Sequence, residues 1–325
     1  MPQYLITGGA GFIGSHLAES LLHKGHNVVS IDNFDPFYAK EIKEKNLEQI
    51  KKTASLCGLD FHDIRGDIRD SDTLDSLFQK YKIDGIFHLA AKAGVRPSID
   101  DPVSYWDVNC KGAACVLESA RKAGVSQVVF ASSSSVYGNC KTAPFSEDMF
   151  VGEPISAYAA TKRADELLCY NFSHLYNMHT ICIRYFTVYG PRQRPDLAIH
   201  KFSKLIAKGC PIPFYGDGSS ERDYTFVTDI VAGTIRAMTY AEKCPYDIIN
   251  LGESNTISLS GLVGLIEKEL GKKAVLDKKP FQPGDVQRTW ADITKAKKLL
   301  GYKPGVTKEQ GIKKFIAWIK EQEKA

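Results

Sequence analysis

The chain has 325 residues, 43% hydrophobic and 25% charged, a globular composition that excludes a disordered or fibrous polypeptide and leaves room for about two domains. Its net charge of +4 is too small for non-specific binding to nucleic acid or a membrane surface. Eight cysteines without a CxxC pair offer neither a disulfide scaffold nor zinc-ligand spacing, and the expectation is a cytoplasmic protein with reduced thiols, no signal peptide, no membrane span and no metal.

In chain order, short apolar runs alternate with helical patterns. The first strand, 4–7 (YLIT), runs into GGAGFIG, which places Gly8, Gly9, Gly11 and Gly14 between a strand and a helix. Glycines here let the backbone turn tightly and approach a pyrophosphate, while the helix start at Phe12 and Ile13 presents free N–H groups to the anion. The helix SHLAESLLHKG puts Leu17, Leu21 and Leu22 on one face and stops at Gly25. The second strand, 27–32, ends in Asp32, where a carboxylate can accept from the adenosine ribose hydroxyls. Asn33 and Phe34 follow instead of an arginine, which favours NAD over NADP. Residues 38–52 read as a solvated, mixed-charge helix face. After a weaker strand at 60–67, Asp67 and Ile68 are candidate adenine contacts, with an ordinary turn as the alternative. Strands follow at 85–91 (GIFHLAA), 127–133 (QVVFASS) and 179–186 (HTICIRYF). This alternation predicts an α/β fold, a Rossmann-type doubly wound parallel sheet. Beyond 186, segments rich in Pro, Gly and charge, among them PRQRPDLA and KKPFQPGD, separate shorter elements, as expected of a smaller α/β C-terminal substrate lobe.

The chemistry is concentrated in YAATK, 158–162, on a helical segment. Tyr158 and Lys162 are four residues apart and share a helix face, so an ammonium can sit near the phenol. A nearby positive charge favours the phenolate and would let Tyr158 act as a base near neutral pH. The run ASSSSVYG, 131–138, ends a strand of the same sheet and supplies hydroxyls for a reacting oxygen. Alone, a YxxxK pair is often an ordinary surface pair.

With TGGAGFIG, HLAA, SSSVYG, YAATK, RYFTVYGP and RDYTFVTDI, the chain resembles the extended short-chain dehydrogenase/reductase family over essentially its whole length, and within it the sugar-nucleotide 4-epimerases and dehydratases. The resemblance implies a Ser/Tyr/Lys mechanism with NAD as cofactor. It puts the catalytic hydroxyl at Ser133, with Ser132, Ser134 and Ser135 as alternatives, and assigns Leu89, Ala90 and Ala91 to the cofactor. Similar 4,6-dehydratases carry Asp-Glu where this chain has Ser134 and Ser135, which disfavours dehydration and leaves reversible oxidation at C4. Neutral-hexose epimerases usually have asparagine where this chain has Thr187, and RYFTVYGPRQRPDLA looks like UDP-glucuronate 4-epimerases. Ser134, Ser135 and Thr187 could then hold the C5 carboxylate of a hexuronate. Arg222 and Arg288 match diphosphate-binding positions and Arg194 a nucleotide-site position, with Arg192 its rival; Asp229 could instead cap a helix.

The reading is therefore an NAD-dependent UDP-glucuronate 4-epimerase with a UDP-sugar substrate. Alternatives are a UDP-glucose or UDP-N-acetylhexosamine 4-epimerase, a uronate decarboxylase, and a catalytically silent NAD-sensing regulator. The expected lobes are 1–185 plus about 223–252 for the cofactor, and about 186–222 plus 253–325 for the sugar nucleotide. The family also implies a homodimer formed through helices near 102–123 and 157–176.

Overall fold

A computed structural model of the protein describes residues 1–281 and 286–322. Seven strands form the central sheet: β1 (Gln3–Thr7), β2 (Asn27–Asp32), β3 (Phe61–Arg65), β4 (Gly85–His88), β5 (Gln127–Ser133), β6 (His179–Tyr185) and, after three strands elsewhere, β10 (Tyr246–Leu251). Their order is β10-β6-β5-β4-β1-β2-β3, and every pair is parallel. The apolar runs read as strands because such a sheet is covered on both faces; Leu5, Ile6, Val28, Val29, Ile86 and Phe87 are all fully buried. The winding direction reverses between β1 and β4, which opens a crevice at the strands' C-terminal ends.

Helices cover both faces. On one lie α1 (Phe12–His23), α2 (Lys40–Cys57) and, from later in the chain, α9 (Val227–Ala241). On the other lie α3 (Ser71–Lys80) and the run α4 (Val95–Asp100), α5 (Pro102–Tyr105), a π-helical turn at 106–111 and α6 (Gly112–Lys122), followed by α7 (Ala157–Tyr176). The predicted Leu17, Leu21 and Leu22 face of α1 is buried. Two expectations change. The strand expected at 85–91 ends at His88, and residues 89–91 turn out of the sheet to line the crevice. Residues 38–52 are not a wholly solvated face, because Lys43, Asn46, Leu47 and Ile50 of α2 are buried.

The remaining strands build smaller sheets: β7 (Thr187–Tyr189), β9 (Glu221–Phe226) and β11 (Thr256–Ser258) in one, β8 (Ile212–Tyr215) and β12 (Leu276–Lys279) in another. Around them pack α8 (Ala198–Ala207), α10 (Leu259–Leu270) and α12 (Lys308–Gln322), while α11 (Thr294–Leu300) lies against α9 and β10. Of the loop KKPFQPGD, residues 282–285 lie outside the described residues. No helix among the described residues is long and apolar enough to cross a membrane.

Candidate active site

A cavity of about 500 Å³ follows the crevice from the end of β2, past the glycine loop, to the ends of β5 and β6. Gly8 turns the chain with φ +71°, and a Cβ there would lie 2.9 Å from the Ala90 backbone; a Cβ on Gly14 would lie 2.3 Å from the Gly8 carbonyl oxygen. Both positions accept only glycine. Gly11, at the position before α1, offers no side chain to cap the helix, so the helix's first N–H groups, which lack partners within it, are left for an anion in the cavity. The wall opposite is set by Thr7, whose hydroxyl accepts from the N–H groups of Leu89 (3.2 Å) and Ala90 (3.1 Å) and lies 2.9 Å from His88 Nδ1. Burial pushes His88 down to about 3, so the imidazole is neutral, and with its hydroxyl oxygen already accepting, Thr7 donates to Nδ1.

At the β2 end, Asp32 and Asn33 line the cavity with Phe37, Tyr38 and Lys43. Asp32 accepts from the Phe34 N–H at 2.9 Å and from Lys43 Nζ at 3.0 Å. Ile68 lines the cavity and Asp67 does not; Arg69 and Asn33 engage its carboxylate and hold it well below the usual range. The glycine cradle, the uncapped helix start and the carboxylate at the end of β2 fit an adenine dinucleotide.

At the other end, Ser133, Ser134, Ser135, Tyr158, Lys162 and Thr187 line the cavity together. Ser156 caps α7, its hydroxyl accepting from Ala159 N at 3.1 Å, and this fixes where Tyr158 and Lys162 emerge. Tyr158 is half-buried, edge-on to Tyr105 with ring centres 6.3 Å apart. Lys162 is buried, its ammonium 5.1 Å from the centre of the Phe130 ring and 4.0 Å from Asp165 Oδ2. The four serines separate by their bonds. Ser132 donates to buried Glu166 at 2.6 Å, whereas Ser133 donates to Ser135 Oγ at 3.1 Å and accepts from the Ser135 N–H at 3.1 Å.

Beneath the serines lies a network absent from the sequence reading. Glu166 accepts two bonds from Arg184 (2.8 and 2.9 Å) and one from Arg163 (3.0 Å). Arg184 also donates to the Tyr137 hydroxyl at 3.0 Å, which donates to Asn250 at 2.7 Å. The network ties β5, α7, β6 and β10 together. Its only sequence signal was the arginine of RYFTVYGP and a glutamate four residues after Lys162. Lys43 and Lys92, both on the cavity wall, were also missed.

The arginines fall in three places. Arg194 lines the cavity, bonded to Asp196 at 2.9 and 3.0 Å and stacked 4.9 Å over the Phe37 ring. Arg192 does not line it and pairs with Glu19 of α1 at 2.7 Å. Arg222 and Arg288 come together around Glu221, with Arg222 donating to the Glu221 carbonyl and Arg288 pairing with its carboxylate at 2.5 Å, outside the cavity wall. Asp229 accepts from the N–H groups of Gly305 and Val306 (3.1 and 3.0 Å), pinning the C-terminal segment to the first turn of α9 rather than capping that helix.

Residues 5–315 match the family described as GDP-mannose 4,6 dehydratase. A UDP-glucuronate 4-epimerase of Thermodesulfobacterium geofontis is 42% identical over 99% of this chain and 97% of its own. The crystal structure of the UDP-glucuronic acid 4-epimerase from Bacillus cereus in complex with UDP-glucuronic acid and NAD superposes with a TM-score of 0.91 at 36% identity, covering 98% of this chain and 99% of that one. A UDP-glucose 4-epimerase from Thermotoga maritima with UDP-glucose superposes with a TM-score of 0.88 at 29% identity over 99% of both chains.

Proposed function

The chain belongs to the GDP-mannose 4,6 dehydratase family of extended short-chain dehydrogenase/reductases, and on that premise we propose that it is an NAD-dependent UDP-glucuronate 4-epimerase, interconverting UDP-glucuronate and UDP-galacturonate. The observation that carries this reading within the family is the chemistry of the cavity around Tyr158. Among the described residues the wall there offers Ser133, Ser134, Ser135 and Thr187 but no carboxyl group; the lining acids, Asp32 and Asp35, lie at the β2 end. Dehydration requires groups that move protons at C5 and C6 of the sugar, and serine hydroxyls are too weak as acids and bases to do so at neutral pH. They can hold a substrate carboxylate as neutral donors.

In this reading Tyr158 removes the C4 hydroxyl proton, Ser133 donates to the same oxygen, and Lys162 holds a positive charge beside the phenol. A bound NAD would supply the hydride acceptor and donor for C4 of the sugar, whose 4-keto form would turn between the two transfers. Gly8, Gly11, Phe12, Ile13 and Gly14 would hold its pyrophosphate, Asp32 and Asn33 its adenosine ribose, Ile68 its adenine and Leu89–Ala91 the wall beside it. The assignment of Ser133 over Ser132 is supported by the commitment of Ser132 to Glu166, and that of Arg194 over Arg192 by the cavity wall. Ser134, Ser135 and Thr187 would bind the hexuronate carboxylate. A 4-keto uronate is a β-keto acid, and a site without an acid near the carboxylate disfavours loss of carbon dioxide. Arg222 and Arg288 are assigned to the UDP diphosphate on motif alone, and would have to leave Glu221 to reach it.

The cofactor lobe is assigned to 1–185 plus about 223–252, supported by α9 and β10 packing on the central sheet, and the remainder to the sugar nucleotide. A homodimer through α5, the turn 106–111, α6 and α7 is supported by the apolar side chains that these elements leave exposed, Val103, Trp106, Leu167 and Tyr170. The function is tested by incubating the protein with NAD and UDP-glucuronate and identifying the product by NMR. UDP-galacturonate is expected; a UDP-pentose with carbon dioxide overturns the reading.

A further inference from the structure

Behind the Lys162 ammonium lies a carboxylate for which the mechanism above has no use. Asp165 is 1% exposed; among the described residues no N–H or O–H group hydrogen-bonds its oxygens, and the weak Cys110 thiol donor interacts with them. Its charged and titratable neighbours are few: Lys162 at 4.0 Å and Glu166 on the same helix, and the Cys110 thiol on the turn 106–111. Glu166 is itself occupied by Arg184, Arg163 and Ser132. Cys110 points its thiol at the Thr161 carbonyl at 3.8 Å, and burial pushes that thiol up to about 12, so it stays protonated and brings no charge. From β4, His88 faces Lys162 as a neutral ring, stacked on Phe130 at 4.8 Å. A buried carboxyl met only by a weak thiol donor costs stability, and the positive charge beside it is that of Lys162.

We propose that Asp165 is a positioning residue of the Tyr158–Lys162 pair, its carboxyl group setting how much of the Lys162 positive charge reaches the Tyr158 phenol. This rests on the assignment of Tyr158 as the base of the proposed 4-epimerase. In a buried site, charges a few ångströms apart are weakly screened. When Asp165 is neutral, the field of Lys162 acts undiminished on the phenol and favours its ionisation; when Asp165 is ionised, it cancels part of that field. Burial pushes the Asp165 carboxyl up to about 7, against the pull of Lys162 in the opposite direction, so both forms are populated in the range where the enzyme would work.

The substitution Asp165→Asn removes the charge with little change of shape. The acid limb of the kcat profile against pH is expected to move down by about half a pH unit or more, with KM for the sugar nucleotide little changed. Asp165→Ala should move it the same way, should the Asn side chain fail to settle. A second readout needs no turnover: the tyrosinate absorbance of each protein, taken as the difference from the same protein carrying Tyr158→Phe, should appear at lower pH in Asp165→Asn. Stability should change in a defined direction. A carboxyl raised by burial contributes its full stability only below its ordinary value, and that contribution is lost as pH rises through about 7. Asp165→Asn should therefore raise the melting temperature more at pH 8 than at pH 5. If the melting temperature responds while the rate profile and the difference titration both stay in place, Asp165 is structural and the proposal is overturned. A wild-type protein that turns over no UDP-glucuronate would count against the function alone, since the titration still reads the pair.

Discussion

Tyr158 enters the cavity from the first turn of α7, edge-on to Tyr105, with Lys162 one turn further along the same face. Replacing it by phenylalanine keeps the ring and its packing while removing the only atom that can exchange a proton. Turnover of UDP-glucuronate by Tyr158→Phe is expected to fall by about a hundredfold to ten-thousandfold. Bound NAD, measured by its absorbance after desalting, should remain, because the glycine cradle and Asp32 are untouched. Activity at the wild-type level would remove Tyr158 from the chemistry. Ser134 makes the complementary case on the substrate side. On the proposed assignment, a carboxylate there would face the substrate's own carboxylate, and like charges across a binding site cost several kcal/mol. Ser134→Asp should raise KM for UDP-glucuronate at least ~tenfold while leaving binding of UDP-glucose, whose sugar carries no carboxylate, nearly unchanged when followed by calorimetry. Equal losses for both ligands would mean that Ser134 does not meet the carboxylate.

Among the elements, α7 does the most to assemble the site. One face carries Tyr158 and Lys162 into the cavity, and the next turn carries Glu166 to Arg184 of β6. Both partners are fully buried, so breaking the pair leaves an uncompensated guanidinium in the interior. Glu166→Gln should cost about 3–5 kcal/mol in denaturant unfolding, a loss that a surface pair would not produce; a loss below about 1 kcal/mol would show that Arg184 finds another partner. This network also marks the limit of what the sequence discloses. Strands buried on both faces announce themselves as apolar runs, and β1, β2, β5 and β6 begin and end within a residue of expectation. The glycine loop and YAATK are legible because their spacing is local. Glu166 and Arg184 lie 18 residues apart and Lys43 and Asp32 lie 11 apart, each on a different element, and only the folded topology joins them. The segment 38–52 looked solvated for that reason: its mixed charge hides one lysine paired with a carboxylate at the end of β2. The run GIFHLAA likewise continues past the true strand end, because Leu89 and the two alanines line the cavity instead of the sheet.

For the molecule as a whole, the outer surface of the helices beside the site poses the remaining question. Val103 is 77% exposed and Leu167 54%, and Trp106 and Tyr170 are also exposed on the same packed group of helices. Scattered apolar side chains are ordinary on a surface, but a cluster of large ones on adjacent helices marks an interaction site. The occupant proposed above is a second copy of the chain, since two such faces related by a twofold axis would each cover the other. Light scattering of the purified protein should give a mass twice the 36.0 kDa of the chain. Leu167→Glu puts a carboxylate in the middle of that surface, where burial without a partner is costly, and should give the single-chain mass. Because Leu167 lies on α7 between Glu166 and Tyr170, separating the two copies should also loosen the helix that carries Tyr158 and Lys162, lowering the melting temperature and kcat together. A wild-type mass of one chain would rule out the dimer, and a monomeric variant with full activity would show that each copy builds its site without the other.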